Sequence, residues 1–182
     1  MKGLVFTEFL DMVEQQFSAN MVDDIIEASD LPSGGAYTAV GTYSHSEIVT
    51  LVQQLAIRTG IAVPELIKAF GHYFFGRFVA LYPSFFTAAP DVFDFLDSIE
   101  NHVHVEVLKL YPDAQLPTFE TQREGSDKLI MIYRSKHPFA TLAAGLIEGC
   151  LAHYQVTAHT EMVDCSAGKG THVEFHITRM AA

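Results

Sequence analysis

The stretch SIENHVHVEVLKLYP, from Ser98 to Pro112, places His102 and His104 two positions apart in a predicted helix. A regular helix turns by about 100° per residue, so the two imidazoles point to nearly opposite sides and cannot bind one metal ion together. The helix has one apolar stripe, formed by Leu96, Ile99, Val103, Val107 and Leu110. His104 flanks this stripe, whereas His102 is expected to meet water. His104 is therefore either a metal ligand or a core histidine satisfied by a carbonyl group.

The rest of the first half is also predicted to be helical. Apolar periodicity and turn signals predict further helices over residues 6–17, 21–28, 44–60 and 64–82, and the helix with the two histidines over 91–111. The sequence SHSE predicts a capping box that opens the third of these helices. In that motif Ser44 is the N-cap and the side chain of Glu47 reaches back.

The second half changes character. Alternating polarity predicts four strands at PTFETQRE, KLIMIYRS, VTAHTEMVD and THVEFHIT, with a helix from Pro138 before the third strand. This order indicates an α+β fold, in which an N-terminal helical lobe precedes an α/β lobe with a small antiparallel sheet. We expect one domain over residues 1–182, with lobes of about 1–60 and 61–182.

Composition excludes several classes of protein. The chain has 182 residues, 49% of them hydrophobic, and a formal net charge of −11. The apolar excess can line a ligand cavity, whereas nucleic acid and anionic membranes require a basic face. Two cysteines, Cys150 and Cys165, are too few for a disulfide framework, which favours a cytoplasmic protein. Glu8 and Asp11 interrupt the first apolar run, so no signal peptide is expected.

A second motif, YRSKH, puts Tyr133, Ser135 and His137 at alternate positions of a predicted strand. A strand's period of two places all three on one face and directs Arg134 and Lys136 to the other, unless a bulge or the turn before Pro138 redirects them. Two hydroxyls and an imidazole match the carboxylate oxygens of a ligand. The alternative is a solvated strand end with a half-buried tyrosine.

Four segments carry a family resemblance: MKGLVFTEFLDMVEQQF, HVHVEVLKLYPDAQLP, YRSKH and GLIEGC. In order and spacing they resemble the haem nitric oxide/oxygen binding (H-NOX) domains, the sensor module of soluble guanylate cyclase. The resemblance extends over essentially the whole chain and implies a bacterial stand-alone sensor with a b-type haem between the lobes. It implies that His104 is the axial ligand of the iron and that Pro117 presses on the haem from the sheet side.

The same resemblance assigns the strand motif to the haem propionates, with Tyr133 and Ser135 as hydrogen-bond donors. The family pattern Tyr-x-Ser-x-Arg is imperfect, because His137 occupies the arginine position. Arginine is a permanent cation that can fork across carboxylates, whereas histidine is shorter and can be neutral near pH 7. We therefore expect weaker haem retention than in members with the full motif.

The resemblance also places four apolar side chains over the distal face of the haem: Val5, Phe9, Phe74 and Leu142. Oxygen-binding members carry a distal tyrosine at the position that matches Leu142. None of the four side chains can donate a hydrogen bond. Bound oxygen gains from such a donor, whereas nitric oxide binds ferrous haem without one. The sequence thus predicts a non-catalytic sensor of nitric oxide and carbon monoxide that excludes oxygen, and the resemblance implies a histidine kinase or diguanylate cyclase as effector.

Three alternatives remain at this point. A haem peroxidase would require a polar distal group, which the apolar distal set disfavours. A haem-free or weakly haem-binding pocket for a hydrophobic metabolite is compatible with the imperfect YRSKH motif. A zinc site could draw on His159, Cys165 and His172, although strand alternation scatters these side chains.

Overall fold

The computed structural model describes residues 1–180 and divides into two units, Met1–Phe70 and the part that begins at Gly71. The first unit contains α1 (Gly3–Gln16), α2 (Ala19–Glu27), α3 (His45–Thr59) and the first part of α4 (Val63–Leu81). The predicted helices of this region are confirmed to within a turn. Its core is formed by the apolar faces of these helices, including Phe6, Phe9, Val13, Ile25, Leu51, Leu55 and Phe70.

The predicted capping box forms only in part. The Ser44 hydroxyl caps α3 by accepting a hydrogen bond from the backbone N–H of Ser46 at 3.3 Å. Glu47 does not reach back, because its carboxylate accepts hydrogen bonds from the hydroxyls of Tyr37, at 3.0 Å, and Ser33. Glu47 is buried, and a buried carboxylate is tolerated only with such donors. Burial raises the pKa of Tyr37 to about 12, and the Glu47 carboxylate adds to this shift.

The second unit contains the rest of α4, further helices and the sheet. Its helices are α5 (Ser84–Thr87), α6 (Val92–Ser98), α7 (His104–Leu110) and α8 (Ala140–His153). Its strands are β1 (Thr118–Glu124), β2 (Lys128–Arg134), β3 (Ala158–Asp164) and β4 (His172–Arg179). The sheet has the order β1-β2-β4-β3, and every neighbouring pair is antiparallel. The predicted α+β fold and all four predicted strands are confirmed.

The core of this unit lies on one face of the sheet. Side chains from β2 and β4 pack with α6 and α8, and the largest of them are Leu129, Met131, Tyr133 and Phe175. Two glycines let α4 and α8 approach closely. A Cβ on Gly71 would lie 2.5 Å from the carbonyl oxygen of Leu142, and one on Gly149 would lie 2.7 Å from the Cβ of Phe75.

The helix predicted over 91–111 is interrupted. A π-helical segment, Ile99–Val103, separates α6 from α7, and the backbone N–H of His104 bonds to the carbonyl of Ile99 five residues earlier. The wider turn rotates every later side chain relative to a regular helix. Leu96 and Val103 of the predicted stripe are buried, but Leu110 is 56% exposed, so that part of the stripe is wrong. No residue of α7 is buried.

The start of α6 is anchored to the sheet. Asp91 caps the helix by accepting a hydrogen bond from the backbone N–H of Phe93 at 2.8 Å, and Arg179 of β4 donates to the same carboxylate at 2.6 Å. Burial raises the pKa of Asp91, but these hydrogen bonds outweigh burial and hold it below its usual range. The guanidinium of Arg179 also lies 4.4 Å from the centre of the Phe93 ring.

Within residues 1–180, none of the helices combines the length and the apolar character needed to cross a membrane.

Candidate functional site

A cavity of about 300 Å³ lies in the second unit, beside α7, the segment that leads into β1 and the segment that follows β2. Four predicted site residues line it: His104, Pro117, Ser135 and His137. Their positions span residues 104–137, so the fold brings together motifs that are separate in sequence. Leu108 and Leu116 add apolar surface to the lining.

His104 is the first residue of α7 and its side chain is 14% exposed. Its Nδ1 lies 3.1 Å from Oε2 of Glu100. Burial lowers the pKa of His104 below its ordinary value, and the Glu100 carboxylate opposes that shift. The imidazole is therefore neutral near pH 7, and Nδ1 is assigned the proton that it donates to Glu100. Nε2 then carries the lone pair, which is the form in which histidine binds a metal.

The YRSKH motif forms a turn rather than a continued strand. β2 ends at Arg134, whose guanidinium lies 2.6 Å from the Glu120 carboxylate. Alternation fails after this residue, so the prediction that Lys136 points away from Ser135 and His137 is wrong. Lys136 lines the same cavity as its two neighbours.

Hydrogen bonds within the motif fix the shape of this turn. The Ser135 hydroxyl accepts a hydrogen bond from the backbone N–H of His137 at 3.1 Å. The Tyr133 hydroxyl donates to the carbonyl of His137 at 3.1 Å. Tyr133 is 1% exposed, so the alternative of a half-buried tyrosine at a solvated strand end is wrong. Burial raises the pKa of this phenol, so it remains a donor.

The four predicted distal residues lie on three helices. In the first unit, Val5 is half-buried on α1, and Phe9 is fully buried with its ring 5.3 Å from that of Phe70. In the second unit, Phe74 and Leu142 are half-buried on α4 and α8. Their role toward a bound ligand stays a prediction.

The structure gives no support to the zinc site considered at His159, Cys165 and His172. Cys165 is exposed, and its thiol lies 3.7 Å from the carbonyl oxygen of Val163. Over the 180 residues that the structure describes, no three His, Cys, Asp or Glu side chains are grouped so that they could hold a metal ion. A single histidine with additional non-protein coordination, as in a haem, is a different arrangement.

Sequence reasoning missed two residues of the site, Glu100 and Lys136. The spacing of Glu100 and His104, four positions apart on a helix, was a usable signal for their contact. For Lys136 the usable signal was Pro138, because a turn before that proline redirects the side chain from the strand face that alternation predicts.

The residues at the cavity fit a haem. Haem requires an axial ligand, apolar surface against the ring and donors for two carboxylates. His104 offers a neutral imidazole, Leu116 and Pro117 offer apolar surface, and Ser135 and Lys136 offer a hydroxyl and an ammonium group.

The α+β fold and this donor set indicate a haem-binding domain. The family model described as Haem-NO-binding matches residues 2–162. The chain therefore belongs to this family, the H-NOX family, which consists of haem-based gas sensors. The family prediction made from the sequence is confirmed.

Solved H-NOX structures resemble the whole chain. The chain is 39% identical to the Fe(II) unliganded H-NOX protein from K. algicida, with a TM-score of 0.93 and coverage of 100% of this chain and 98% of that one. It is 36% identical to the IWP-051-bound H-NOX from Shewanella woodyi in the Fe(II)CO ligation state, with a TM-score of 0.85 and coverage of 99% and 95%. It is 25% identical to an H-NOX protein from S. oneidensis in the Fe(II)NO ligation state, with a TM-score of 0.91 and full coverage of both chains. A comparison with curated proteins found no match.

Proposed function

We propose that this chain senses nitric oxide with a b-type haem whose axial ligand is His104, that it also binds carbon monoxide, and that it excludes oxygen. The observation that carries the proposal is the shared cavity, in which His104 meets Pro117, Ser135 and His137. Membership of the H-NOX family supports two parts of the proposal, that the chain binds haem and that it senses a gas. When bound, the haem supplies a ferrous iron that binds the diatomic gas.

The chain's own residues divide the task of holding the haem. His104 provides Nε2, while Pro117 provides apolar contact from the segment before β1. Ser135 and His137 hold the propionates, and Lys136 adds an ammonium group at the same cavity. Tyr133 supports this turn through the His137 carbonyl, and it reaches a propionate only if its hydroxyl leaves that carbonyl.

Gas choice follows from the distal set. Val5, Phe9, Phe74 and Leu142 offer no hydrogen-bond donor to a polarised oxygen ligand. Relatives have been solved in Fe(II)NO and Fe(II)CO ligation states, which supports nitric oxide and carbon monoxide as ligands here. The same apolar set provides no acid–base group for peroxidase chemistry, so we propose a sensor without catalysis of its own.

Signalling requires an element that can move and a separate effector. α6 is fixed to the sheet through Asp91 and Arg179, whereas α7 buries none of its residues. We therefore assign α7 as the element whose movement is detected by the effector, a cytoplasmic histidine kinase or diguanylate cyclase that binds to this sensor. The predicted lobes, about 1–60 and 61–182, act in this proposal as one sensor domain.

Absorption spectra of the purified ferrous protein test the proposal. Spectra are recorded without gas, with nitric oxide, with carbon monoxide and in air. We expect distinct nitric oxide and carbon monoxide complexes and no stable oxygen complex. A persistent oxygen complex in air contradicts the gas choice. A colourless protein that takes up no added haem favours the alternative, a haem-free pocket for a hydrophobic metabolite.

A further inference from the structure

We infer that Glu100 is a positioning residue, which fixes the orientation and donor strength of His104 and ties it to the edge of the sheet. This inference rests on the proposed function, in which His104 is the iron ligand. One oxygen of Glu100, Oε2, accepts two hydrogen bonds. One comes from Nδ1 of His104 at 3.1 Å, and the other from the backbone N–H of Phe119 at 3.0 Å.

The backbone places Glu100 for this contact. Glu100 lies in the π-helical segment Ile99–Val103, immediately before His104. Single π-turns within helices are frequent at functional sites, because they redirect side chains at the cost of helical regularity. Here the segment directs the carboxylate of Glu100 to β1, 19 residues further along the chain.

The Phe119 contact fixes the carboxylate from the sheet side. β1 is an edge strand, since the order of the sheet is β1-β2-β4-β3. Outward-facing N–H groups of an edge strand have no strand partner. Glu100 occupies this position for Phe119, so its carboxylate is held by the rigid sheet as well as by its own helix.

A fixed carboxylate changes what His104 can do. A hydrogen bond from Nδ1 sets the tautomer, so that the lone pair stays on Nε2, and holds the plane of the ring. An anionic acceptor also raises the basicity of the imidazole as a metal ligand. Because one oxygen serves both donors, a rotation of His104 must either break its bond to Glu100 or disturb the contact with Phe119. Glu100 thus sets how firmly His104 is held and links its release to the sheet.

The chain offers a matched control on α7, the helix that follows the π-helical segment. Glu106 carries the same charge and pairs with Lys109 at 2.5 Å, but it does not line the cavity. If Glu100 were only a helix-stabilising charge, Glu100→Gln and Glu106→Gln would behave alike. The positioning role predicts different results.

The first readout is the iron–histidine stretching band of the gas-free ferrous protein, measured by resonance Raman spectroscopy. We expect Glu100→Gln to shift the band to lower frequency, since glutamine can accept the same hydrogen bonds without the charge. Glu106→Gln should leave the band unchanged. An unchanged band in Glu100→Gln, or the same shift in both variants, overturns the inference.

The second readout uses the haem-free protein. In Glu100→Ala the amide of Phe119 loses its acceptor, and we expect its hydrogen exchange to accelerate by about tenfold. In Glu106→Ala that rate should not change. An unaltered Phe119 rate in Glu100→Ala overturns the link to the sheet.

The two proposals fail in distinguishable ways. If the wild type shows no iron–histidine band, or if His104→Gly retains it, the ligand assignment is wrong and the proposed function fails. If the band belongs to His104 but does not respond to Glu100→Gln, only the positioning role of Glu100 is wrong.

Discussion

Replacing Tyr133 by phenylalanine separates its role at the candidate site from its role in the core. The Tyr133 ring packs at 5.7 Å from the ring of Phe119 and at 6.3 Å from that of Phe175, and phenylalanine preserves both contacts. Only the hydroxyl is lost, and with it the 3.1 Å hydrogen bond to the carbonyl of His137. The carbonyl keeps its hydrogen bond from the backbone N–H of Phe139 at 2.9 Å, so the substitution leaves no unpaired acceptor. We therefore expect a loss of about 1 kcal/mol in the free energy of unfolding, which is the ordinary net value of a hydrogen bond.

A matched variant, Tyr154→Phe, loses a similar tyrosine hydrogen bond at a position away from the cavity. The Tyr154 hydroxyl donates to the carbonyl of Ala89 at 2.9 Å, and Tyr154 does not line the cavity. Tyr154→Phe should therefore destabilise the haem-free protein by a similar amount, equivalent to a fall in Tm of about 2–4 °C. Urea and thermal unfolding of the two variants measure this loss in the free energy of unfolding.

Haem retention distinguishes the variants. Tyr133 holds the turn that carries Ser135 and His137, so Tyr133→Phe should accelerate transfer of haem to a scavenger protein by about fivefold, the equivalent of 1 kcal/mol. Tyr154→Phe should transfer haem at the wild-type rate. Equal acceleration in both variants would show that global stability, not the turn, governs haem loss. No acceleration in Tyr133→Phe would refute the assignment of this turn to the propionates.

Three further predictions concern the ligand, gas choice and stability. His104→Gly should lose axial coordination and recover it with added imidazole, whereas His102→Ala should keep a normal spectrum; a histidine-ligated spectrum in His104→Gly without imidazole contradicts the assignment. Leu142→Tyr should yield an oxygen complex in air by adding a distal donor, and an unchanged spectrum in air counts against the distal placement of this residue. The folded-state pKa of Asp91 is lowered, so its stabilising effect is present above its unfolded pKa of about 3.9 and is lost as pH falls through the folded value. Asp91→Asn should keep the helix cap, because asparagine caps as well as aspartate, but it should lose the partly exposed ion pair with Arg179. We expect a cost of up to about 1 kcal/mol at pH 7 in urea unfolding, and the difference from wild type should shrink as the pH falls below about 4; a difference that does not shrink on acidification is inconsistent with this account.

Local patterns in the sequence predicted most of the helices and all four strands, together with part of the candidate site. Period-two alternation located all four strands, and the helical periodicity located the helix that carries His104. The YRSKH motif included Ser135 and His137, and both line the cavity with His104, although they lie in a turn and not on the predicted strand. These signals are local, because a residue's place on a helix or strand depends on its near neighbours.

The remaining features depend on contacts between residues that are distant in sequence. The sheet pairing ends β2 at Arg134, which turns Lys136 into the cavity. Glu47 leaves its predicted capping role because Tyr37 and Ser33 satisfy its buried carboxylate. In each case the local pattern allowed one geometry and a tertiary partner stabilised another.

The sequence by itself determined that His102 and His104 point to different sides of their helix, because positions two apart on a helix lie nearly opposite. In the structure His102 is exposed and His104 is partly buried. Only the tertiary structure decided how His104 is held. The π-helical segment brings Glu100 to both His104 and the edge of β1, and a contact between residues 100 and 119 leaves no periodic trace in the sequence. The physical reason is that periodicity reports which side of an element is buried, whereas the partner that satisfies a polar group is chosen by the packing of the whole unit.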